Sequence, residues 1–287
     1  MAPGNHIKLI ECPRDAMQGW AHPISTEKKA VYINALLKVG FHTIDFGSFV
    51  SPKAIPQMAD TVEVLKKLDL KDTSSKLLAI IANKRGAEEA VLWDEITYLG
   101  FPFSVSETFQ MRNTHSSIQQ SLERVEEIQN LCVKAQKKLV VYLSMAFGNP
   151  YGDVYNEEIV FNWAYKLAAL DIGIISLADT VGLATATQVA EMTKYLVKML
   201  PRAEIGVHLH SAPSNRKEKL EAALQAGCRR FDGAMKGIGG CPMADDELVG
   251  NMDTEFMIDY FTSQKLSPAL HTGALQQCSR MASELFI

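Results

Sequence analysis

Three short segments of the chain carry side chains suited to acid–base or metal chemistry. The first is Glu11-Cys12-Pro13-Arg14-Asp15-Ala16-Met17-Gln18. A consecutive arginine and aspartate can set a metal-binding carboxylate beside a cation that polarises a carbonyl or steadies an enolate; the competing reading is a surface ion pair in a loop. The second is Val207-His208-Leu209-His210. Residues two apart in a strand share a face, so both imidazoles can converge on one ion, the alternative being two packed or exposed histidines. Imidazole with oxygen ligands and open positions suits Mg²⁺ or Mn²⁺, and the lack of a C-x-x-C pair argues against structural zinc. The third is Gly237-Ile238-Gly239-Gly240-Cys241-Pro242, followed by Gly250-Asn251. Glycines let the backbone approach a ligand closely, a cysteine near cations can move protons, and an asparagine offers an amide oxygen to a hard cation. A small hydrophobe tucked under a loop is the plain alternative for Cys241.

Strand-like elements must hold these segments. Short β-branched runs recur at 6–11, 42–45, 76–81, 96–104, 138–143, 172–177, 205–208 and 229–232. Between them, apolar residues at three- and four-residue spacing predict helices near 26–39, 56–68, 84–91, 114–136, 156–170, 184–199 and 214–226. Ser25-Thr26-Glu27 and Asn156-Glu157-Glu158 read as helix starts, Gly40 and Gly227 as stops. Eight strands, each followed by a helix, predict an α/β fold, a (β/α)₈ TIM barrel with extra C-terminal helices packed beside it, rather than a doubly wound sheet. No G-x-G-x-x-G follows the first strand, which removes the usual dinucleotide fingerprint. The whole of 1–287 reads as one catalytic domain, with about 243–287 as a helical extension. In a barrel of this kind, function sits at the C-terminal strand ends, where all three segments fall.

Composition sets outer bounds. In 287 residues, 29 basic and 33 acidic side chains give a net charge of −4, no footprint for nucleic acid or an anionic membrane. No apolar run reaches membrane-spanning length and the start lacks a signal or transit pattern, so a cytoplasmic protein is expected. The five cysteines, scattered and odd in number, read as reduced thiols; Cys12, Cys132, Cys228 and Cys278 read as packing.

Several ordered motifs resemble those of 3-hydroxy-3-methylglutaryl-CoA lyases of the DRE-TIM metallolyase superfamily. They are Pro13-Arg14-Asp15 with Gln18, Ser48-Phe49-Val50-Ser51-Pro52, Ser106-Glu107 with Phe109, Ala178-Asp179-Thr180-Val181-Gly182, His208-Leu209-His210, and Gly239-Gly240-Cys241-Pro242 with Gly250-Asn251. The resemblance covers about residues 7–285. It implies a divalent cation, Mg²⁺ or Mn²⁺, held by Asp15, His208, His210 and Asn251, with His208 also counted among the catalytic residues. It implies that Arg14 stabilises an enolate oxygen, that Arg14 and Gln18 bind substrate, that Cys241 transfers a proton on a mobile loop, and that Asp179 lies near the reacting acyl group. The implied reaction is retro-Claisen cleavage of 3-hydroxy-3-methylglutaryl-CoA to acetyl-CoA and acetoacetate, as in leucine degradation, by a homodimer.

The chain departs from the family pattern at Ala16, where glycine is usual. Asp45 replaces a glutamate and withdraws its carboxylate by about 1.5 Å. Gly19-Trp20-Ala21 lacks a usual basic residue, and the stretch between Cys241 and Asn251 carries Asp245-Asp246-Glu247. Lys53, Lys84, Arg85 and Arg112 are candidate partners for CoA phosphates. A related acyl-CoA-condensing synthase or 2-oxo-acid aldolase, or a non-catalytic lyase-like binding protein, are the competing readings.

Overall fold

A computed structural model describes residues 6–240 and 249–287. Eight parallel strands close into a barrel in sequence order: β1 Lys8–Glu11, β2 Thr43–Ser48, β3 Lys76–Ile80, β4 Ile96–Ser104, β5 Lys138–Ser144, β6 Ile174–Asp179, β7 Glu204–Leu209 and β8 Arg230–Gly233. Closure comes from β1 against β8, with Ile10 opposite Asp232 and Glu11 opposite Gly233. The (β/α)₈ expectation therefore holds, and each expected strand is present within a few residues.

Strand alternation divides the side chains into two sets. Outward apolar residues such as Leu9, Leu77, Leu99, Val141, Ile175, Val207 and Phe231 join the large core under the helices, while Leu78, Ile80, Tyr98, Val140, Tyr142 and Ile174 fill a smaller cluster. The outer layer comprises α1 Pro13–Gln18, α2 Thr26–Leu37, α3 Thr61–Leu65, α4 Lys84–Ala90, α5 Glu107–Thr114, α6 Ile118–Lys134, α7 Glu157–Ala169, α8 Ala186–Met199 and α9 Arg216–Gln225. After β8, α10 Thr254–Ser263 and α11 Thr272–Leu285 complete the described chain. Helix α11 packs on α2, where the Phe286 ring meets Trp20 and Tyr32 edge-on. No helix among the described residues is long and apolar enough to cross a membrane.

Two short helices were not expected. α1 occupies the presumed loop after β1 because Pro13, at its first position, supplies a helical φ where no N–H is needed. α5 forms because the Ser106 hydroxyl accepts from Phe109 N. The helix expected over 114–136 instead begins at Ile118: His115 takes a left-handed φ of 50°, and Ser117 with Gln120 forms a capping box. The element expected over 56–68 divides into a 3₁₀ turn and α3, joined at Thr61, whose hydroxyl donates to Met58 O and accepts from Ser48 N.

Candidate active site

The C-terminal strand ends surround an open cavity of about 1080 Å³, counting the solvent at its mouth, lined among others by Arg14, Asp15, Gln18, Tyr142, His208 and His210. The turn from β1 directly into α1 projects Arg14 and Asp15 there. β7 supplies His208, and His210 follows its last residue. Ligand atoms of Asp15, His208 and His210 all lie within 4.8 Å of one another, and all three residues are buried.

Asn251 joins them from the far end of the chain. It bridges to His210 in antiparallel fashion, and its Nδ2 donates to Asp15 Oδ2 at 2.7 Å and to Ile238 O at 2.9 Å. Gly239 makes that approach possible: at φ +104°, a Cβ there would stand 2.6 Å from Asn251 Nδ2 and 3.0 Å from both Ala16 Cα and Asp15 O. The glycine loop therefore lies directly against two of the expected ligands.

The donor set fits a divalent cation. Asn251 Oδ1 is buried with no hydrogen-bond partner, the state of an oxygen suited to an ion. Burial, with His208 nearby, lowers the His210 pKa to about 3, so the ring is neutral and keeps a lone pair. Burial alone would raise the Asp15 pKa, but Arg14, His208 and His210 outweigh it and hold the carboxylate ionised. One carboxylate, two imidazoles and an amide oxygen suit Mg²⁺ or Mn²⁺.

Arg14 is fixed from two sides. Its Nη1 donates to Asp15 Oδ1 at 2.9 Å, and its Nε and Nη2 both donate to Asp45 Oδ2. The ion-pair reading of Arg14-Asp15 is thus correct in part, yet the pair is buried in the cavity wall rather than exposed in a loop. Gln18 Nε2 also donates to Asp15 Oδ1, at 2.8 Å. Burial raises the Asp45 pKa to about 6 against the pull of Arg14. Asp45 stands behind Arg14 and does not line the cavity.

Asp179 is also turned away from the cavity, which Ala178 and Thr180 line instead. Its carboxylate receives Lys219 Nζ at 2.8 Å and Ala184 N at 3.0 Å. Lys219, from α9, also donates to Gly182 O and to His210 O at 2.9 Å. The pair therefore braces the loop after β6 against the histidine strand. Cys241 and the acidic Asp245-Asp246-Glu247 lie outside the described residues. Of the proposed phosphate partners, Lys84 faces Glu127 at 3.7 Å, Arg85 faces Glu89 at 3.0 Å, and Arg112 lies over the Tyr151 ring at 4.6 Å.

Several residues gain significance only in three dimensions. Asp232 Oδ2 lies 3.3 Å from His208 Nδ1 and orients that ring. Glu11 faces outward with Leu9 and accepts from Met235 N at 2.9 Å and Thr254 Oγ1 at 2.6 Å. Cys12 is not in an apolar setting, since it lies among His208 and Asp232. Met17 and Trp20 are packing residues of the outer core.

Comparison with known proteins identifies the family. The HMGL-like family model matches residues 7–282. The hydroxymethylglutaryl-CoA lyase YngG of Bacillus subtilis is 34% identical over 246 residues, covering 86% of this chain and 81% of that protein. A solved HMG-CoA lyase of the same species superposes with a TM-score of 0.91 at 30% identity, covering 99% of this chain and 95% of the other. An HMG-CoA lyase from Acinetobacter baumannii, solved with coenzyme A and 3-methylmalate, gives a TM-score of 0.90 at 30% identity over 98% and 92% of the two chains. The chain belongs to the HMGL-like family and is a lyase of the hydroxymethylglutaryl-CoA lyase type.

Proposed function

We propose that this lyase cleaves 3-hydroxy-3-methylglutaryl-CoA to acetyl-CoA and acetoacetate by retro-Claisen chemistry, with Mg²⁺ or Mn²⁺ held by Asp15, His208, His210 and Asn251. The observation that carries the reading is the convergence of the Asp15, His208 and His210 ligand atoms beside the fixed guanidinium of Arg14. The acyl-CoA substrate is supported by the relatives named above, one of them solved with coenzyme A.

A bound cation would lower the pKa of the substrate's tertiary hydroxyl and so ease loss of its proton. Arg14 meets the negative charge that grows on the thioester oxygen as the carbon–carbon bond breaks. It does so without reorganising, because Asp15 and Asp45 already hold three of its nitrogens. Asp45 acts through Arg14 and is a positioning residue. Asp232 fixes the His208 ring, and Gln18 holds Asp15. Cys241, carried on the glycine loop, returns a proton to the enolate carbon.

The test is acetoacetate release from 3-hydroxy-3-methylglutaryl-CoA by the purified chain supplied with Mg²⁺ or Mn²⁺. Absence of turnover in protein that binds Mn²⁺ would overturn the substrate assignment.

A further inference from the structure

A second set of convergent ligand atoms lies on the inner side of the barrel. Cys12 Sγ, a ring nitrogen of His208 and a carboxylate oxygen of Asp232 are all within 4.8 Å of one another, and all three residues are buried. The strand register explains the meeting. Cys12 follows Glu11, which pairs with Gly233, and Asp232 pairs with His208 across β7 and β8. The roles assigned above use neither Cys12 nor the second oxygen of Asp232. That oxygen, Oδ1, is enclosed and has no hydrogen-bond partner, and the same is true of Asp45 Oδ1. Cys12 Sγ donates to Ile10 O at a long 3.8 Å.

Thiolate, imidazole and carboxylate together differ in kind from the donors of Asp15, His210 and Asn251. A sulfur ligand selects thiophilic divalent ions such as Zn²⁺, Co²⁺ or Cd²⁺ over Mg²⁺. We propose that Cys12, Asp232 and Nδ1 of His208 form a second cation site for a thiophilic divalent ion, whose occupation excludes the hard cation from the neighbouring site. The exclusion rests on the reading of Asp15, His208 and His210 as hard-cation ligands.

Its cause is the shared imidazole. A neutral ring has one lone pair and one N–H. With Nδ1–H donated to Asp232 at 3.3 Å, the lone pair sits on Nε2, and a ring nitrogen of His208 also lies within 4.8 Å of the Asp15 and His210 ligand atoms. With an ion on Nδ1, the proton moves to Nε2, and the hard-cation site loses a ligand. Asp232 serves both states, as hydrogen-bond acceptor in one and as ligand in the other. The thiol proton of Cys12 leaves to solvent as the sulfur–metal bond forms, with no change of oxidation state. Burial, and the charges of Asp232, Asp45 and Asp15, disfavour a bare thiolate here, and a divalent ion supplies the compensating charge.

The experiment uses purified full-length protein. Co²⁺ added without Mg²⁺ or Mn²⁺ should produce a near-ultraviolet thiolate-to-cobalt charge-transfer band in the wild type and in Cys241→Ser, and no band in Cys12→Ala or Cys12→Ser. Zn²⁺ should release bound Mn²⁺, read from the free-ion resonance signal, at a concentration at least about tenfold lower in the wild type than in Cys12→Ala. Retained Mn²⁺ binding shows that the Cys12 variants are folded. A cobalt band that survives in both Cys12 variants, or disappears only in Cys241→Ser, overturns the site. Equal Zn²⁺ sensitivity of wild type and Cys12→Ala overturns the exclusion. A wild type that binds no Mn²⁺ overturns the hard-cation reading and the exclusion with it, while a cobalt band that depends on Cys12 still supports the second site.

Discussion

Arg14 turns two nitrogens, Nε and Nη2, onto a single oxygen of Asp45, at 3.0 and 2.5 Å, leaving the other oxygen of that carboxylate unpartnered. This one-sided grip suits a shortened acidic residue that reaches the guanidinium from behind. Asp45→Asn keeps the shape and removes the charge, so kcat should fall about 10²-fold as Arg14 loses its fixed aim, with Mn²⁺ affinity little changed. Asp45→Glu restores the charge and should recover part of the loss. Steady-state kinetics with unchanged kcat in the asparagine variant would remove Asp45 from this role.

His210 is buried, neutral and within reach of the other ligand atoms. His210→Ala should raise the Mn²⁺ dissociation constant at least about 100-fold, beyond the usual loss for a residue that merely supports a ligand. Calorimetric titration checks this, and unchanged affinity would exclude His210 from the ligand set.

For Cys241 the expectation is the reverse. Cys241→Ser should lower turnover at least about 10²-fold while Mn²⁺ binding persists, since the role proposed for the sulfur is to move a proton and not to hold metal. Loss of Mn²⁺ binding in the same variant would show that assignment to be wrong.

Lys219 and Asp179 form an ion pair that is almost wholly buried, each side chain 1% exposed. Removing one partner strands the other charge. Lys219→Met should cost about 3–5 kcal/mol of unfolding free energy, and pairing it with Asp179→Asn should recover much of that. Urea denaturation of both variants decides; a double variant no more stable than the single would place the cost in the lost carbonyl contacts of Lys219.

Glu11 gives a pH dependence whose sign is clear. Burial raises its pKa from 4.5 to about 8 against hydrogen bonds from Thr254 and Met235. The folded chain thus keeps a proton that the unfolded chain releases. Stability falls as pH rises through this window, by up to about 1.4 kcal/mol per unit. Glu11→Gln cannot titrate, so its stability should be flatter over the same range and exceed that of the wild type above about pH 8. Parallel slopes for the two proteins would refute the assignment.

The barrel was legible in the sequence because each strand is a short β-branched run bounded by amphipathic helices, a local signal. Helices α1 and α5 were missed because each is too short to show a period; they depend on Pro13 and Ser106 at their starts. Asp15, His208 and His210 were legible because their spacing and strand-end placement are themselves local. Asp232 and Lys219 were not. The first reads as a polar strand end, and the second as one more charge on the solvated face of a helix. What gives them meaning is a neighbour on another strand or loop. The partners of Glu11 lie 224 and 243 residues away, a separation no motif spans.

The bond from Asn251 to Asp15 ties together residues 236 apart, across the seam where β8 meets β1. On a growing chain, Asp15 is among the earliest residues made, yet it waits for nearly all the others before its partner exists. Contacts of such separation form late, after the entropy of closing the intervening chain has been met. A chain clipped between Gly233 and Asn251 would therefore keep Asp15, His208 and His210 and lose the amide that holds the Asp15 carboxylate.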